Sequence, residues 1–460
     1  LLSLNVLIDP HELEICLKVL DQATRMVADD PQSNNDHTVN ALLKAGKKLR
    51  KARAIATGEA ARAQRRADDA AIIAATVTGH PDRIDDGAAE LPQAIASSVG
   101  ILHRSQSCYV CKKRYTQVDS FYHLLCPSCA RINHFHRHAG TNLHGRRALL
   151  TGGRAKIGMH IALKLLRDGA NLTITTRFPR DAARRFSATS DSADWLDRLH
   201  IVGIDLRNPA HVAALADDIA TEPLDIVINN AAQTIRHSPG AYSALVDAES
   251  TPLRGIERDV HMRILGDSSI PSAIEPATIG RELLANITVD AGGLLPERVS
   301  HNSWVAKVGE IDPIEVLEVN LCNVIAPFIL INRLRPALEA SPARRKYIVN
   351  VSAMEGIFHR DYKGPGHPHT NMAKAALNML TRTSAEELFK DRILMTAVDT
   401  GWITDERPHV TKERFARKGF HTPLDLIDGA ARVYHPIVDG ENGVDLYGCF
   451  LKDYAPAAYW

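Results

Sequence analysis

The chain has 460 residues, more than one hydrophobic core usually organises, with 45% hydrophobic and 24% charged side chains. Its formal net charge of +1 gives no global case for nucleic acid, and no stretch approaches the roughly 20 apolar residues needed to span a bilayer. Two or three domains in a soluble, cytoplasmic protein are therefore expected, without nucleic-acid or membrane partners. The opening run LLSLNVLI is apolar but short and lacks a preceding basic segment, so a secretory signal is not expected. Seven cysteines, four of them in two CxxC pairs, favour metal binding in a reducing compartment over a disulfide framework.

Residues 1–100 carry helix signals almost throughout. Asp9-Pro10 supplies an N-cap and a first-turn proline before HELEICLKVLDQATRM, whose apolar residues recur at helical spacing. After a polar break, the Ala, Lys and Arg content of residues 38–76 predicts a long helix. Lys44, Lys47, Lys48, Arg50, Lys51 and Arg53 make its first half basic, either as a solvated face or as a docking surface for a protein partner or a second copy. Residues 80–100, with Pro81, Gly87, Pro92 and Gly100, read as a linker.

Residues 101–140 contain Cys108 and Cys111, separated by 14 residues from Cys126 and Cys129. Paired CxxC turns present four thiolates tetrahedrally, the arrangement that suits a structural Zn²⁺, and a closed Cys₄ shell leaves no position for an activated water. His123, His134, His136 and His138 surround the cluster as surface or supporting side chains, with exchange of one for a cysteine ligand as the alternative.

From residue 141 to the C-terminus, strand and helix signals alternate. RRALLTG, ANLTITT, HIVGIDL, LDIVIN, KYIVNVS and ILMTAVD read as strands separated by helical stretches, which predicts an α/β fold with a Rossmann-like, doubly wound parallel sheet. The first strand and its helix are joined by Thr151-Gly152-Gly153-Arg154-Ala155-Lys156-Ile157-Gly158. Glycines in such a loop let the backbone approach a pyrophosphate at the N-terminus of the following helix.

On these motifs the sequence resembles the short-chain dehydrogenase/reductase family over about 300 residues. TGGRAKIG is similar to the family's TGxxxGIG loop, with Lys156 where the second glycine is usual, and Asp205-Leu206 to the pair that contacts adenine. Asn229-Asn230-Ala231-Ala232 resembles the NNAG stretch. Asn320, Ser352 and Lys374 match the family's helix asparagine, its serine and its active-site lysine. The segment 399–404, ending at Thr404, resembles the one that closes over the nicotinamide, with Asp399 in place of proline. The resemblance implies cofactor contacts from Gly152, Arg154, Ile157, Gly158, Arg177, Asp205, Leu206, Asn230, Ala231, Lys374 and Thr404. Arg177 at the end of the second strand, with Arg154 and Arg180 nearby and no carboxylate before Asp181, favours the 2′-phosphate of NADP(H).

Two departures bear on catalysis. The family's tyrosine, four residues before the lysine, is Thr370 here, and an aliphatic hydroxyl is a much weaker acid than a phenol. The loop before it is longer than usual and holds His359, Asp361, Tyr362, His367 and His369. Tyr362 would keep a phenol, and His367 or His369 could donate a proton near neutral pH. The second departure is an insertion at about 236–312, read as a lid or binding platform. Its His301, Asn302 and Trp304 are candidates for substrate contact, with Trp304 alternatively an anchor. The expected function is NADP(H)-dependent reduction of a carbonyl or imine in a small molecule. The alternatives are a cofactor-binding scaffold or regulator, and a non-redox dehydratase or isomerase on the same fold.

Overall fold

The computed structural model describes residues 8–30, 33, 36–83, 97–265, 289–359 and 363–459. Its contacts divide the chain into two units, 1–71 and 72–460, a boundary that falls within the helix His37–Ala74. In the first unit, helix Pro10–Asp29 starts where Asp9 accepts the His11 amide at 2.7 Å and Pro10 opens the first turn. Its apolar residues Leu13, Leu17 and Leu20 are exposed, as is the basic run from Lys44 to Arg53 on the second helix.

The second unit opens with an antiparallel pair, β1 (Ser98–Ser107) and β2 (Arg114–Asp119), followed by helix Pro127–His138. The main sheet then takes, in chain order, β3 (Arg147–Leu150), β4 (Asn171–Thr176), β5 (Leu199–Gly203), β6 (Ile226–Asn229), β7 (His261–Ile264), β8 (Lys346–Ser352), β9 (Ile393–Asp399), β10 (Phe450–Lys452) and β11 (Ala455–Ala457). Every strand run expected from the sequence is present. The spatial order is β11-β10-β9-β8-β6-β3-β4-β5-β7, all parallel except the β10–β11 pair.

The strands are apolar on both faces because helices cover both faces. Alternation sorts them: Ala148 and Leu150 of β3 and Tyr347, Val349 and Val351 of β8 enter one core, while Leu149 and Ile348 enter the other. Helices Lys156–Arg167 and Leu426–Glu441 complete the first core, and Pro209–Ile219 and Ala326–Glu339 the second. The stretch Pro313–Glu339 is, against the sequence expectation, long and apolar enough by composition to cross a membrane. Its Leu330, Leu334 and Leu338 are fully buried in the second core, which accounts for that composition.

β7 was not anticipated. It belongs to the insertion and lengthens the sheet beyond β5. The chain runs from β3 outward through β4 and β5, then returns across β3 to β6. The crevice beyond the C-terminal ends of β3 and β6 is thus the switch point at which open α/β sheets bind ligands.

Candidate nucleotide site and Cys cluster

A cavity of about 400 Å³ occupies that switch point. Gly152, Arg154, Ile157, Gly158, Arg177, Asp205, Leu206, Asn230, Ala231 and Thr404 all line it; Lys374, expected to share in cofactor contact, does not. Gly152 adopts φ +68°, and a Cβ there would lie 2.9 Å from the Ala231 Cα, too close for any side chain. A Cβ on Gly158 would meet the Gly152 carbonyl at 2.0 Å. Asn230 braces the turn, its amide donating to the carbonyls of Thr151 (3.1 Å) and Gly152 (3.0 Å). The Thr151 hydroxyl in turn accepts the amides of Asn230 and Ala231, both at 3.0 Å. Helix Lys156–Arg167 starts here with no side-chain cap, leaving its first amides directed to the cavity end of the loop. This cradle, with no room for a Cβ at Gly152 or Gly158 and an uncapped helix N-terminus at its end, fits a pyrophosphate.

Lys156, standing where glycine is usual, takes φ +51° and reaches Asp290 of the insertion at 2.7 Å. The same insertion builds one wall of the cavity with His237, Tyr242, Gly292 and Leu294. It also occupies the arginines. Arg154 pairs with Asp181 and donates to the Gly292 carbonyl at 2.6 Å. Arg177 has no ion pair among the described residues: it donates to the Tyr242 hydroxyl at 3.3 Å and lies over the rings of Phe178 and Tyr242. Arg180 donates to the Glu249 backbone carbonyl, and Glu249 accepts the amides of Arg180 and Asp181, capping helix Pro179–Ser187. The Asp205 carboxylate is held by Arg207 at 2.6 Å, and Arg207 also reaches Glu318 at 2.9 Å.

None of the described residues expected to act in catalysis lines the cavity. Lys374 is buried, and its ammonium donates to the Val351 carbonyl at 2.8 Å; burial pulls its pKa down to about 8. Ser352 donates to Asn378 at 2.6 Å and does not line the cavity. Asn320 donates to Val316 in its own helix at 2.8 Å, immediately before a π-helical turn, Leu321–Ile325, that brings Cys322 to the cavity. Thr370 donates to the Thr234 carbonyl at 3.3 Å. His369 is buried with neither ring nitrogen in a well-formed hydrogen bond, 3.8 Å from Glu315; burial lowers its pKa while Glu315 opposes the shift. Tyr362 and Asp361 lie outside the described residues. Asp399 is buried at the end of β9, and burial, reinforced by Asp453, pushes its carboxyl up to about 6.

The insertion candidates separate. Trp304 stacks on His367 at 3.9 Å and 6°, with its carbonyl 2.7 Å from His367 Nδ1, so it anchors the insertion to the extended loop. Asn302 donates to the Glu406 carbonyl at 3.0 Å, and His301 lies 3.7 Å from Glu310. Tyr242, Phe178, Glu406 and Asn323, which clamps Gln233 through two hydrogen bonds, escaped the sequence reading. Only Phe178, directly after Arg177, carried a local signal.

The four cysteines form the second site. Cys108 and Cys111 lie between β1 and β2, and Cys126 and Cys129 at the start of helix Pro127–His138. Lys112 turns the first knuckle at φ +62°, and the Cys126 amide donates to the Cys108 sulfur at 3.3 Å. All four sulfurs lie within 4.8 Å of one another, with Cys111 and Cys126 at 3.7 Å. Sulfurs at about 2.3 Å from a tetrahedral zinc stand about 3.8 Å apart, so the set fits that ion. The nearby histidines are engaged elsewhere: His123 with Thr78 at 2.8 Å, His134 with Asp119 at 3.1 Å, and His136 stacked on Tyr454.

Residues 146–251 match the short chain dehydrogenase family. An uncharacterized protein of Acanthamoeba polyphaga mimivirus, R665, is 31% identical over 343 residues, 72% of this chain and 71% of that protein. L-xylo-3-hexulose reductase of Hypocrea jecorina is 26% identical over 56% of this chain and 66% of its own length. L-xylulose reductase of Aspergillus niger is 26% identical over 64% and 80%. With its switch-point cavity and its strand order, the chain belongs to the short-chain dehydrogenase family of oxidoreductases.

Proposed function

We propose that this is an NADP(H)-dependent, cytoplasmic oxidoreductase that reduces a carbonyl or imine in a small molecule, with Zn²⁺ held structurally by Cys108, Cys111, Cys126 and Cys129. The observation that carries it is the cavity in which the Gly152 turn, an uncapped helix N-terminus and the Arg177 guanidinium converge. The nicotinamide nucleotide, when bound, supplies the hydride. The first amides of helix Lys156–Arg167 would hold the pyrophosphate, Arg177 the 2′-phosphate, and Asp205 and Leu206 the adenine. Ile157, Asn230 and Ala231 keep the loop in shape, and Thr404 closes the opposite wall. Lys374 and Asn320 would orient the ribose and a proton-relay water, and Ser352 would steady charge on the substrate after exchanging its bond to Asn378.

Thr370 is the weakest acid of the candidates, and its hydroxyl already faces Thr234. Of the described candidates we assign the proton to His369, whose imidazole can donate near neutral pH, with Tyr362 as the phenolic alternative. Burial lowers the His369 pKa, so its charged form accumulates only as the pH falls below the ordinary 6.5. Reduction through His369 should therefore accelerate in acid, and His369→Gln should lose about 100-fold or more in kcat, with the acid acceleration abolished. Retention of rate by that variant together with its loss in Tyr362→Phe would assign the role to Tyr362.

A second reading, a nucleotide-binding scaffold or regulator without turnover, is favoured by Ser352 and Thr370 both being tied to protein partners; a dehydratase or isomerase is its catalytic counterpart. Following nicotinamide absorbance at 340 nm against a panel of carbonyls and imines separates them. Tight NADPH binding with no turnover across the panel would select the scaffold. The basic helix His37–Ala74 is proposed as the docking face for a protein partner or second copy, which light scattering of the purified protein tests.

A further inference from the structure

The Cys cluster reaches the segment that follows β9. Tyr109, inside the knuckle between Cys108 and Cys111, accepts the Trp402 amide on its hydroxyl at 2.8 Å. On either side of Trp402 the chain is similarly held. Gly401 takes φ +82°, and a Cβ there would lie 2.6 Å from Leu424. Ile403 is buried with Leu424, Tyr122, Cys108, Cys126 and Cys129 in one apolar cluster.

That cluster continues into the nucleotide cavity. Ile157 and Leu426 pack against it, and both line the cavity, as does Thr404. The strand of contacts is reinforced from the other side: the Thr422 hydroxyl donates to the Ile403 carbonyl at 2.8 Å, and Arg83 donates to the carbonyls of Thr422 and Leu424, both at 2.7 Å. One wall of the cavity is thus seated on the four-cysteine module, and Tyr109 is the polar contact that holds the Trp402 amide.

We infer that Tyr109 is a positioning residue for the nucleotide: a metal-loaded knuckle fixes Tyr109, Tyr109 fixes the 401–404 segment, and cofactor affinity follows metal occupancy. The inference rests on reading the cavity as the NADP(H) site. Removing one hydrogen bond, here from the Trp402 amide to the Tyr109 hydroxyl, corresponds to about a three- to tenfold change in an equilibrium constant.

The test uses full-length, zinc-loaded protein and Tyr109→Phe. In cofactor-free protein, hydrogen exchange at the Trp402 amide should be about three- to tenfold faster in the variant, with the zinc stoichiometry unchanged. The NADPH Kd should rise by a similar factor, while kcat at saturating NADPH changes less. Chelating the zinc should weaken NADPH binding more in the wild type than in the variant, because the variant has already lost the link. Unchanged Trp402 exchange, or an unchanged Kd at full zinc occupancy, overturns the inference. A wild-type protein that binds no NADPH overturns the nucleotide reading, and the exchange measurement distinguishes that failure from a failure of Tyr109.

Discussion

Arg154 and Arg177 carry the same charge at the same end of the cavity, yet their partners differ. Arg154 is matched by Asp181 and Gly292, whereas Arg177, among the described residues, meets the Tyr242 hydroxyl and two aromatic faces and no carboxylate within ion-pair distance. The 2′-phosphate should therefore be read by Arg177. A charge-assisted hydrogen bond is worth about 1.5–3 kcal/mol, so Arg177→Ala should raise the NADPH Kd roughly 10- to 150-fold and leave NADH binding little changed. Titration with both nucleotides checks this; equal losses would mean Arg177 shapes the loop rather than reads the phosphate. Lys374 gives a pH prediction. Burial lowers its pKa to about 8, so the ammonium is present below pH 8 and lost above it. NADPH binding that depends on the ammonium should weaken as the pH rises through 8, and Lys374→Met should remove that inflection. The stability sign is opposite: the unfolded chain holds this proton up to about 10.5, so the cost of burying the charge is full below 8 and disappears as the pH climbs between the two values. Arg177 was legible because the end of a strand is a local address. The neutralisation of Arg154 was not, since Gly292 lies 138 residues away.

At the level of elements, the link between helices Pro127–His138 and Leu426–Glu441 is ionic and buried. Arg137 reaches Asp425 at 2.6 Å and 2.7 Å and Asp428 at 3.1 Å; Tyr122 donates to Asp428 at 2.6 Å, and Arg432 donates to Asn133 at 2.8 Å. Arg137→Met leaves two buried carboxylates without their cation and should cost about 3–5 kcal/mol, seen as a lower melting temperature by calorimetry. An unchanged melting temperature would show that Arg432 compensates. The sequence displayed the cysteine spacing plainly, because two CxxC turns are local geometry. It did not display this network, because Arg137 among histidines looks like any surface cation until the last long helix is laid beside it. The insertion is similar: its length was evident, but its strand β7 and its wall of Tyr242 and Leu294 depend on where the sheet edge lies.

For the molecule as a whole, the alternating strands and their order were readable because a parallel, doubly covered sheet leaves continuous apolar runs in the chain. Which end of that sheet the cysteine module supports was not readable from any run. The buried pair of Arg137 and Asp425 joins residues 288 apart, and this has a consequence for biosynthesis. At about 5–20 residues per second, the ribosome delivers Asp425 on the order of 15–60 s after Arg137. A nascent chain through that interval carries the knuckles, their four thiols and the first half of the sheet without the carboxylates that seat them. The last long helix acts as a closing clasp, so chains cut short before it should be recovered by chaperones or proteases even though every residue of the nucleotide loop has already been made.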